Sequence, residues 1–387
     1  MTHYLRPAGA FLAVGAVLWF FPNLAAAADL PIFYLLFSYF LFFWIAQASA
    51  WNMFTGYSGY FSFGQGAFYG AGVYTTATLA AKQGWPLLAA IPVGGLVAAL
   101  VGVFVGFVVF RLRSLRGEIF ALLTLAVAFV VAAFARVVPS IDGGNGVPLN
   151  TVELPTVFGD FPAMIYRLGL IVAILTVFVA FALRRSRVGW GLFAINDDED
   201  VAEALGVPTF RAKMIALAVS TFFAGLSGAV HAIQISYVTI EDVFNVRVPL
   251  FVIIMSVLGG MRHWMGPVVG AVVIFTLTDR LNRAGLESVN QLIIGTLLIL
   301  MVLLVKEGMY KRIYNRPLVA LTGFALGLGA GLLFGGEASI ISKIAVGMAA
   351  AIVAVLIPFD RLRRSPSDLA PEQDAEREEV GASGGTS

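Results

Sequence analysis

The chain has 387 residues, 59% of them hydrophobic, and a formal net charge of +2 at pH 7. Soluble domains are typically about 45–50% apolar, so the composition excludes a soluble globular protein. The sequence contains no cysteine, which excludes disulfides, thiol catalysis and cysteine-ligated metals. We therefore predict an all-α, polytopic transmembrane helical bundle in the cell (inner or plasma) membrane, and we expect no nucleic-acid partner.

Apolar runs recur along the chain, each long enough to cross a hydrocarbon layer about 30 Å thick. The predicted helices, in chain order, are at 9–28, 31–50, 66–82, 86–110, 117–138, 164–184, 212–235, 248–261, 264–281, 289–305, 318–335 and 340–358. Residues 361–387 are polar and rich in Glu, Gly, Pro and Ser, so they are predicted to form a disordered cytoplasmic tail.

The basic residues predict the orientation of these helices. With the N-terminus in the cytoplasm, most of the 25 Lys and Arg residues lie on the cytoplasmic side, as the positive-inside rule requires. This places both termini and the loop 185–211 in the cytoplasm, and the loop 139–163 outside. Arg6, an apolar run and NLAAAADLP also resemble a cleavable signal peptide. A retained first helix is favoured because a second span follows at once.

A glycine-rich stretch precedes the third predicted span, where 52–72 reads NMFTGYSGYFSFGQGAFYGAG. Irregular backbone inside a membrane survives only where protein or a water-filled cavity satisfies its polar groups. We therefore predict a broken or re-entrant helix that forms part of a pathway or gate. Its candidate residues are Asn52, Gly56, Gly59, Ser62, Gly64, Gln65 and Gly66. The polar side chains expected to pair the freed backbone groups are those of Asn52, Ser58, Ser62 and Gln65. Close helix packing by small residues is the alternative.

A short acidic segment, 195–206, reads INDDEDVAEALG between two long apolar runs. Asn196 or Asp197 is a suitable N-cap, and acidic residues in the first turn suit the helix dipole. Gly206 is placed to end the helix in a left-handed cap. The pattern predicts an independent cytoplasmic helix of two to three turns, with Val201, Ala204 and Leu205 forming a narrow apolar stripe. A solvated connector is the alternative.

Five motifs occur in an order that resembles one known family. They are GYSGYFSFGQGAFYGAGVY (56–74), LRGEIFALLTLAVA (115–128), DGGNGV (142–147), AINDDEDVAEALGVPTFRAKMIAL (194–217) and VLGGMRHWMGPVVGA (257–271). The chain resembles the LivM-type permease subunit of the branched-chain amino acid (or related urea and amide) ABC importer family, over about 30–305. It departs from the family pattern at Tyr60, Gln65, Glu118 and Asn196.

The resemblance implies a permease domain at 1–305 with about ten family helices, followed by two additional transmembrane helices within 306–360. It implies that the acidic segment is a cytoplasmic coupling helix that docks on an ATPase through Asp198, Glu199, Glu203, Ala204, Leu205 and Gly206. The implied partners are two ABC ATPase subunits, a second LivH-type permease chain and an external or periplasmic solute-binding protein. ATP and Mg would bind the ATPase subunits, and no cofactor would bind this chain.

Two other classes of protein were weighed against a permease subunit. An ion-coupled secondary transporter normally carries ionisable groups at the membrane midplane. Here the middles of the predicted spans are nearly free of charge, and the ionisable residues near span ends are Glu118, Arg136, Asp279 and Arg280. A membrane-embedded enzyme would need a catalytic or metal-binding constellation, and the sequence has neither a GxxxxGK[ST] loop nor an HExxH pair. We therefore predict no catalytic residue and no metal ligand. The resemblance implies that the cargo is a branched-chain amino acid or a related small polar solute.

Overall fold

The computed structural model describes residues 2–111, 118–149, 154–283 and 309–315, with isolated positions at 152, 285, 292, 295, 296, 321, 322 and 325. The predicted helices at 289–305, 318–335 and 340–358 lie outside the described residues except for such positions, and so does the predicted tail at 361–387. Six apolar stretches of the described part are long enough to span a membrane: Phe33–Ser58, Leu87–Val109, Ile119–Val137, Phe161–Arg185, Thr209–Ile235 and Ile240–Gly259. The predicted all-α polytopic bundle is confirmed.

The helices of the described part are α1 (Thr2–Trp19), α2 (Phe21–Ala27), α3 (Phe33–Ser58), α4 (Gln65–Ala77), α5 (Leu87–Val109), α6 (Glu118–Val137), α7 (Phe161–Arg185), α8 (Arg187–Asp197), α9 (Glu199–Ala204), α10 (Thr209–Ile235), α11 (Ile240–Val243), α12 (Arg247–Gly259), α13 (Gly266–Arg283) and α14 (Met309–Asn315). A π-helical turn, Thr78–Lys82, extends α4, and a short 3-10 turn, Thr156–Phe158, precedes α7. The strands β1 (Val147–Pro148) and β2 (Tyr237–Val238) pair antiparallel.

Two of the predicted helices differ from the observed ones. The helix predicted at 9–28 is interrupted at Phe20, because Pro22 at the start of α2 cannot donate a backbone hydrogen bond to the preceding turn. The helix predicted to end at residue 50 continues to Ser58. Residues 51–58 contain no proline, and Gly56 keeps a helical conformation. The helix therefore ends only at Gly59, which adopts a positive φ.

The centre of the bundle is α10, which packs against α4 and α5, while α3 packs against α7. Small residues bring these helices close together. A Cβ atom at Gly72 of α4 would collide with the backbone of Gly225 in α10. Without water to drive association, helices in lipid depend on such close contacts. Close packing is therefore the observed role of this C-terminal part of the glycine-rich stretch.

A small antiparallel pair ties the loop after α6 to the end of α10. Val147 pairs with Val238, and Pro148 pairs with Tyr237. The backbone N–H of Leu149 also donates to the carbonyl of Ser236 over 2.7 Å. These bonds fix the DGGNGV motif beside the end of α10.

Candidate functional site

The predicted helix break lies between α3 and α4, at residues 59–64. α3 ends because Gly59 adopts the left-handed conformation, with φ of +76°, and its N–H donates to the carbonyl of Thr55. The break is narrower than predicted, since Gly56 and Gly66 lie inside regular helices. A Cβ atom at Gly59 would lie 2.9 Å from the Asn196 side chain, so the break directly contacts the acidic segment 195–206.

The backbone groups released by the break bond to protein side chains. The indole of Trp51 donates to the carbonyl of Ser62 over 2.7 Å, and the hydroxyl of Thr124 accepts from the N–H of Phe63 over 3.0 Å. The Ser62 hydroxyl accepts from the N–H of Gly64. Ser62 was predicted in this role, whereas Trp51 and Thr124 were missed, because nothing in the sequence shows which distant side chains face the break.

Gln65 is buried at the start of α4 and bonds to a second amide. Its Nε2 donates to the Gln47 side-chain oxygen over 2.6 Å, and the Gln47 Nε2 donates in turn to the carbonyl of Ala224. Gln65 was expected to satisfy freed backbone groups of the break. Instead it links α4 to α3, and through α3 to α10. Gln47 was missed, although a lone amide inside an apolar span signals a buried partner.

Asn52 lies on a polar face of α3, with Ser49 and Thr55 three residues before and after it. All three are buried, and an oxygen of each side chain has no hydrogen-bond partner among the described residues. The Asn52 Nδ2 donates to the carbonyl of His263, in the turn between α12 and α13. Unpaired buried oxygens are costly, so this face of α3 retains hydrogen-bonding capacity for water or a polar solute.

The predicted gate glycines differ in how tightly they are enclosed. A Cβ atom at Gly56 would collide with the Asn52 side chain and lie 2.5 Å from the carbonyl oxygen of Met261. At Gly64 the nearest atoms, of Thr124, are 3.2 Å away, and at Gly66 nothing lies closer than 3.8 Å. Gly56 is therefore the most sterically constrained of these three glycines. Whether these residues form a pathway stays a prediction.

The acidic segment forms a helix shorter than predicted, and it begins later. Asp198 is the N-cap of α9, and its side chain accepts from the N–H groups of Asp200 and Val201 over 2.9 and 3.0 Å. The predicted caps, Asn196 and Asp197, are instead the last residues of α8. The N-cap prediction was wrong because a separate helix, α8, follows the preceding span and includes both residues. The apolar pattern did not reveal α8, whose N-cap is Ser186.

α9 ends as the sequence predicts. Gly206 has a φ of +88°, its N–H donates to the carbonyl of Glu203, and the N–H of Val207 donates to that of Ala202. These two bonds form a Schellman motif, in which the left-handed glycine closes the helix. Pro208 then caps α10. The helix spans only six residues, Glu199–Ala204, rather than two to three turns.

The apolar residues of α9 and its cap divide between two environments. Ala202 is buried beneath the segment, whereas Val201 is 55% exposed and Leu205 is 80% exposed. Ala204 is exposed between them. The predicted apolar stripe is therefore confirmed in position, and it faces away from the rest of the chain.

Glu199 is not part of that outer surface. Its carboxylate forms an ion pair with Lys213 of α10 at 2.6 Å, and its side chain is only 9% exposed. The hydroxyl of Tyr60 in the break donates to the same carboxylate. That Glu199 docks on an ATPase stays a prediction, but its carboxylate points towards α10 and the helix break rather than outwards. Lys213 and Tyr60 were missed as its partners.

His263, in the turn between α12 and α13, is neutral at physiological pH. Burial, with a smaller contribution from Arg184, lowers its pKa from 6.5 to about 4. Its ring stacks on Tyr310 of α14, with the centroids 4.0 Å apart. Among the described residues, no group of three or more His, Asp or Glu side chains is placed to hold a metal. That this chain binds no metal or cofactor stays a prediction.

Comparison with known proteins matches residues 32–302 to the family described as "Branched-chain amino acid transport system / permease component". The LivM permease protein of a high-affinity branched-chain amino acid transport system from Escherichia coli is 28% identical over 285 residues, which cover 67% of this chain and 65% of the relative. The corresponding protein of Salmonella typhimurium is 29% identical over the same length, with the same coverage of both chains. The chain thus spans just under two thirds of these relatives.

A more distant relative is named for a different cargo. The ribose import permease protein RbsC of Escherichia coli is 24% identical over 233 residues, covering 56% of this chain and 67% of the relative. No solved structure matches the chain.

Proposed function

We propose that this chain, which belongs to the family of permease components of branched-chain amino acid transport systems, is the membrane-spanning subunit of an ATP-driven importer. The predicted resemblance to LivM-type permeases is confirmed by this membership. The proposed cargo is a branched-chain amino acid or a related small polar solute, because the LivM relatives are named for branched-chain amino acid transport.

The observation that carries this proposal is the surface of α9. A six-residue helix, capped at both ends, holds Leu205 and Val201 in solvent beside acidic side chains. An exposed apolar group with a polar rim is typical of a docking surface. We propose that an ATPase subunit covers it, burying Leu205 and Ala204 in a groove while Asp198 and Glu203 lie at the rim.

The distribution of buried charge supports a partner-driven permease over ion-coupled transport. Among the described residues, the buried Asp, Glu, Lys and Arg side chains are those of Asp142, Lys213 and its partner Glu199. Asp142 follows the last turn of α6, and Lys213 lies in the second turn of α10. An ion-coupled carrier normally places such groups near the membrane midplane. The sequence also contains no GxxxxGK[ST] loop, so ATP and Mg would bind separate ATPase subunits.

The complete importer that we propose has two ATPase subunits, a second LivH-type permease chain and an external solute-binding protein. In this assembly both termini and α9 face the cytoplasm, as the charge bias predicts. The chain alone therefore lacks an energy source. Reconstituted by itself, it should accumulate no solute under ATP, a proton gradient or a sodium gradient. Accumulation driven by either ion gradient would overturn the proposal.

The docking surface is tested by placing a charge at its centre. Leu205→Asp should abolish co-purification of the ATPase subunits and ATP-driven uptake, because the groove would have to bury a carboxylate. Val157→Asp is the matched control, since Val157 is 79% exposed in the loop predicted to face outside. Both variants should insert normally. Undiminished ATPase retention by Leu205→Asp would show that α9 is only a solvated connector.

A further inference from the structure

Three side chains from separate parts of the chain form a buried polar cluster, which we call the Tyr60–Glu199–Lys213 triad. Lys213 donates to the Glu199 carboxylate over 2.6 Å and to the Tyr60 hydroxyl over 3.2 Å. Tyr60 donates to the second oxygen of Glu199. The triad therefore joins the helix break, the first residue of α9 and the beginning of α10.

Aromatic rings enclose the triad and keep water away from it. The Lys213 ammonium lies 4.6 Å from the centre of the Tyr60 ring and 5.0 Å from that of Phe110. Phe110 in turn stacks on Phe120. The Lys213 and Glu199 side chains are only 5% and 9% exposed. In such an environment an ion pair is weakly screened, and separating its charges is costly.

A second ion pair nearby provides an internal contrast. Asp197, two residues before Glu199, pairs with Arg262, but these side chains are 69% and 63% exposed. Exposed pairs contribute little because water and salt screen them. The acidic residues of the two pairs are thus two positions apart in the sequence, and the buried pair reaches the helix break through Tyr60.

The position of Glu199 on α9 gives the triad a mechanical consequence. Glu199 is the first residue of the helix, and Leu205 follows its last residue. Because α9 is a single short helix capped at both ends, a force on Leu205 moves Glu199 with it. Tyr60 follows Gly59, whose left-handed conformation lets the chain leave the axis of α3. Because Glu199 bonds to Tyr60, movement of Glu199 would pull on the non-helical backbone between α3 and α4.

We propose that the Tyr60–Glu199–Lys213 triad is a positioning device that passes movement of α9 to the helix break at 59–64. Glu199 thus acts in transmission and contacts neither the ATPase nor the solute. This inference rests on the proposed function, because it takes the ATPase as the source of the movement.

The test is hydrogen–deuterium exchange on the assembled complex, without nucleotide and with the non-hydrolysable analogue AMP-PNP. The main variant combines Glu199→Gln with Lys213→Met, which removes both charges of the described ion pair together, so that neither partner is left buried without the other. Tyr60→Phe is a milder second variant that keeps the ring and loses the hydroxyl. Asp197→Asn, which breaks the exposed pair, is the matched control.

In the wild-type complex and in Asp197→Asn, the analogue should change exchange at both 199–206 and 59–64. In the double variant and in Tyr60→Phe, the change at 199–206 should persist and the change at 59–64 should be lost. Uptake per ATP hydrolysed should fall in the same two variants while ATPase retention stays at the wild-type level.

Two outcomes would overturn the inference. One is an unaltered response at 59–64 in the double variant, and the other is wild-type uptake per ATP in both triad variants. Failure of the proposed function is distinguishable from these, since the wild-type complex would then retain no ATPase, or 199–206 would not respond to the analogue.

Discussion

The helix break and α9 are both short segments with unusual sequences, yet they place their distinctive residues in opposite environments. The break is buried, and side chains such as Trp51 and Thr124 satisfy its backbone groups. α9 is closed by its own caps and leaves Val201 and Leu205 exposed. The first segment is completed within the chain, whereas the second leaves an apolar surface uncovered. Residues that shape the chain itself therefore differ in burial from those that we propose meet a partner.

The largest effect on the buried region is expected from Gly56→Ala. The added methyl group would meet the Asn52 side chain and the Met261 carbonyl, so α3 would be displaced from the α12–α13 turn. Over-packing of this kind costs about 3 kcal/mol when backbone must move. Yield and the thermal unfolding midpoint in detergent should both fall.

The matched control is Gly66→Ala, which should leave stability unchanged because no atom lies closer than 3.8 Å to the added methyl group. Equal behaviour of the two variants would contradict the described packing.

Removing one acceptor from the break should have a smaller effect. Thr124→Val keeps the shape of the side chain but leaves the N–H of Phe63 unpaired, at a cost of about 1–3 kcal/mol. Thr176→Val is the control, because among the described residues the hydroxyl of Thr176 bonds to the Val172 carbonyl of its own helix and to no other group. The unfolding midpoint should drop more for Thr124→Val. An equal drop for both would mean that the Thr124 hydroxyl does not stabilise the break.

On α9, the expected effect lies in partner binding rather than in folding. Gly206→Val forces a β-branched residue into a left-handed conformation, at a local cost of about 1–2 kcal/mol. Gly84→Val meets the same strain, because both glycines have positive φ and open space around them. Uptake and ATPase retention should fall for Gly206→Val only. Equal losses in the two variants would assign the effect to general strain.

The smallest expected effect concerns pH. The pKa of His263 is lowered to about 4 in the folded chain, below its ordinary value of 6.5. Between these values the unfolded chain binds a proton that the folded chain does not, so stability is full above pH 6.5 and falls towards pH 4. His263→Gln should therefore reduce the loss of thermal stability between pH 7 and pH 5. An unchanged pH dependence would show that His263 does not contribute.

Much of the described fold follows from the sequence, because apolar runs of membrane length and a left-handed glycine act locally. The spans predicted at 86–110 and 164–184 correspond to α5 and α7, and the end of α9 at Gly206 is correct. Local pattern also predicted that a break would lie in the glycine-rich stretch. The local pattern did not indicate which glycine forms the break. Gly56 and Gly59 are both glycines in the same stretch, and their different conformations are set by the surrounding helices.

What the sequence did not predict depends on contacts between distant residues. Glu199 was expected at the ATPase surface, and it is buried because Lys213 and Tyr60 meet it from elsewhere in the chain. In the sequence, Glu199 cannot be told apart from the acidic residues beside it, Asp198 and Asp200. Only the folded arrangement distinguishes an inward-facing carboxylate from outward-facing ones.

The central claim, that an ATPase covers α9, is tested most directly by labelling a cysteine in place of Leu205. The chain has no cysteine of its own, so the background is clean. In inside-out vesicles, a membrane-impermeant maleimide should label this cysteine slowly while the ATPase subunits are bound and rapidly after they are stripped. A cysteine in place of Val157 should resist labelling in both states, because the charge bias predicts that its loop faces outside. Equal labelling of the Leu205→Cys variant with and without ATPase would contradict the account.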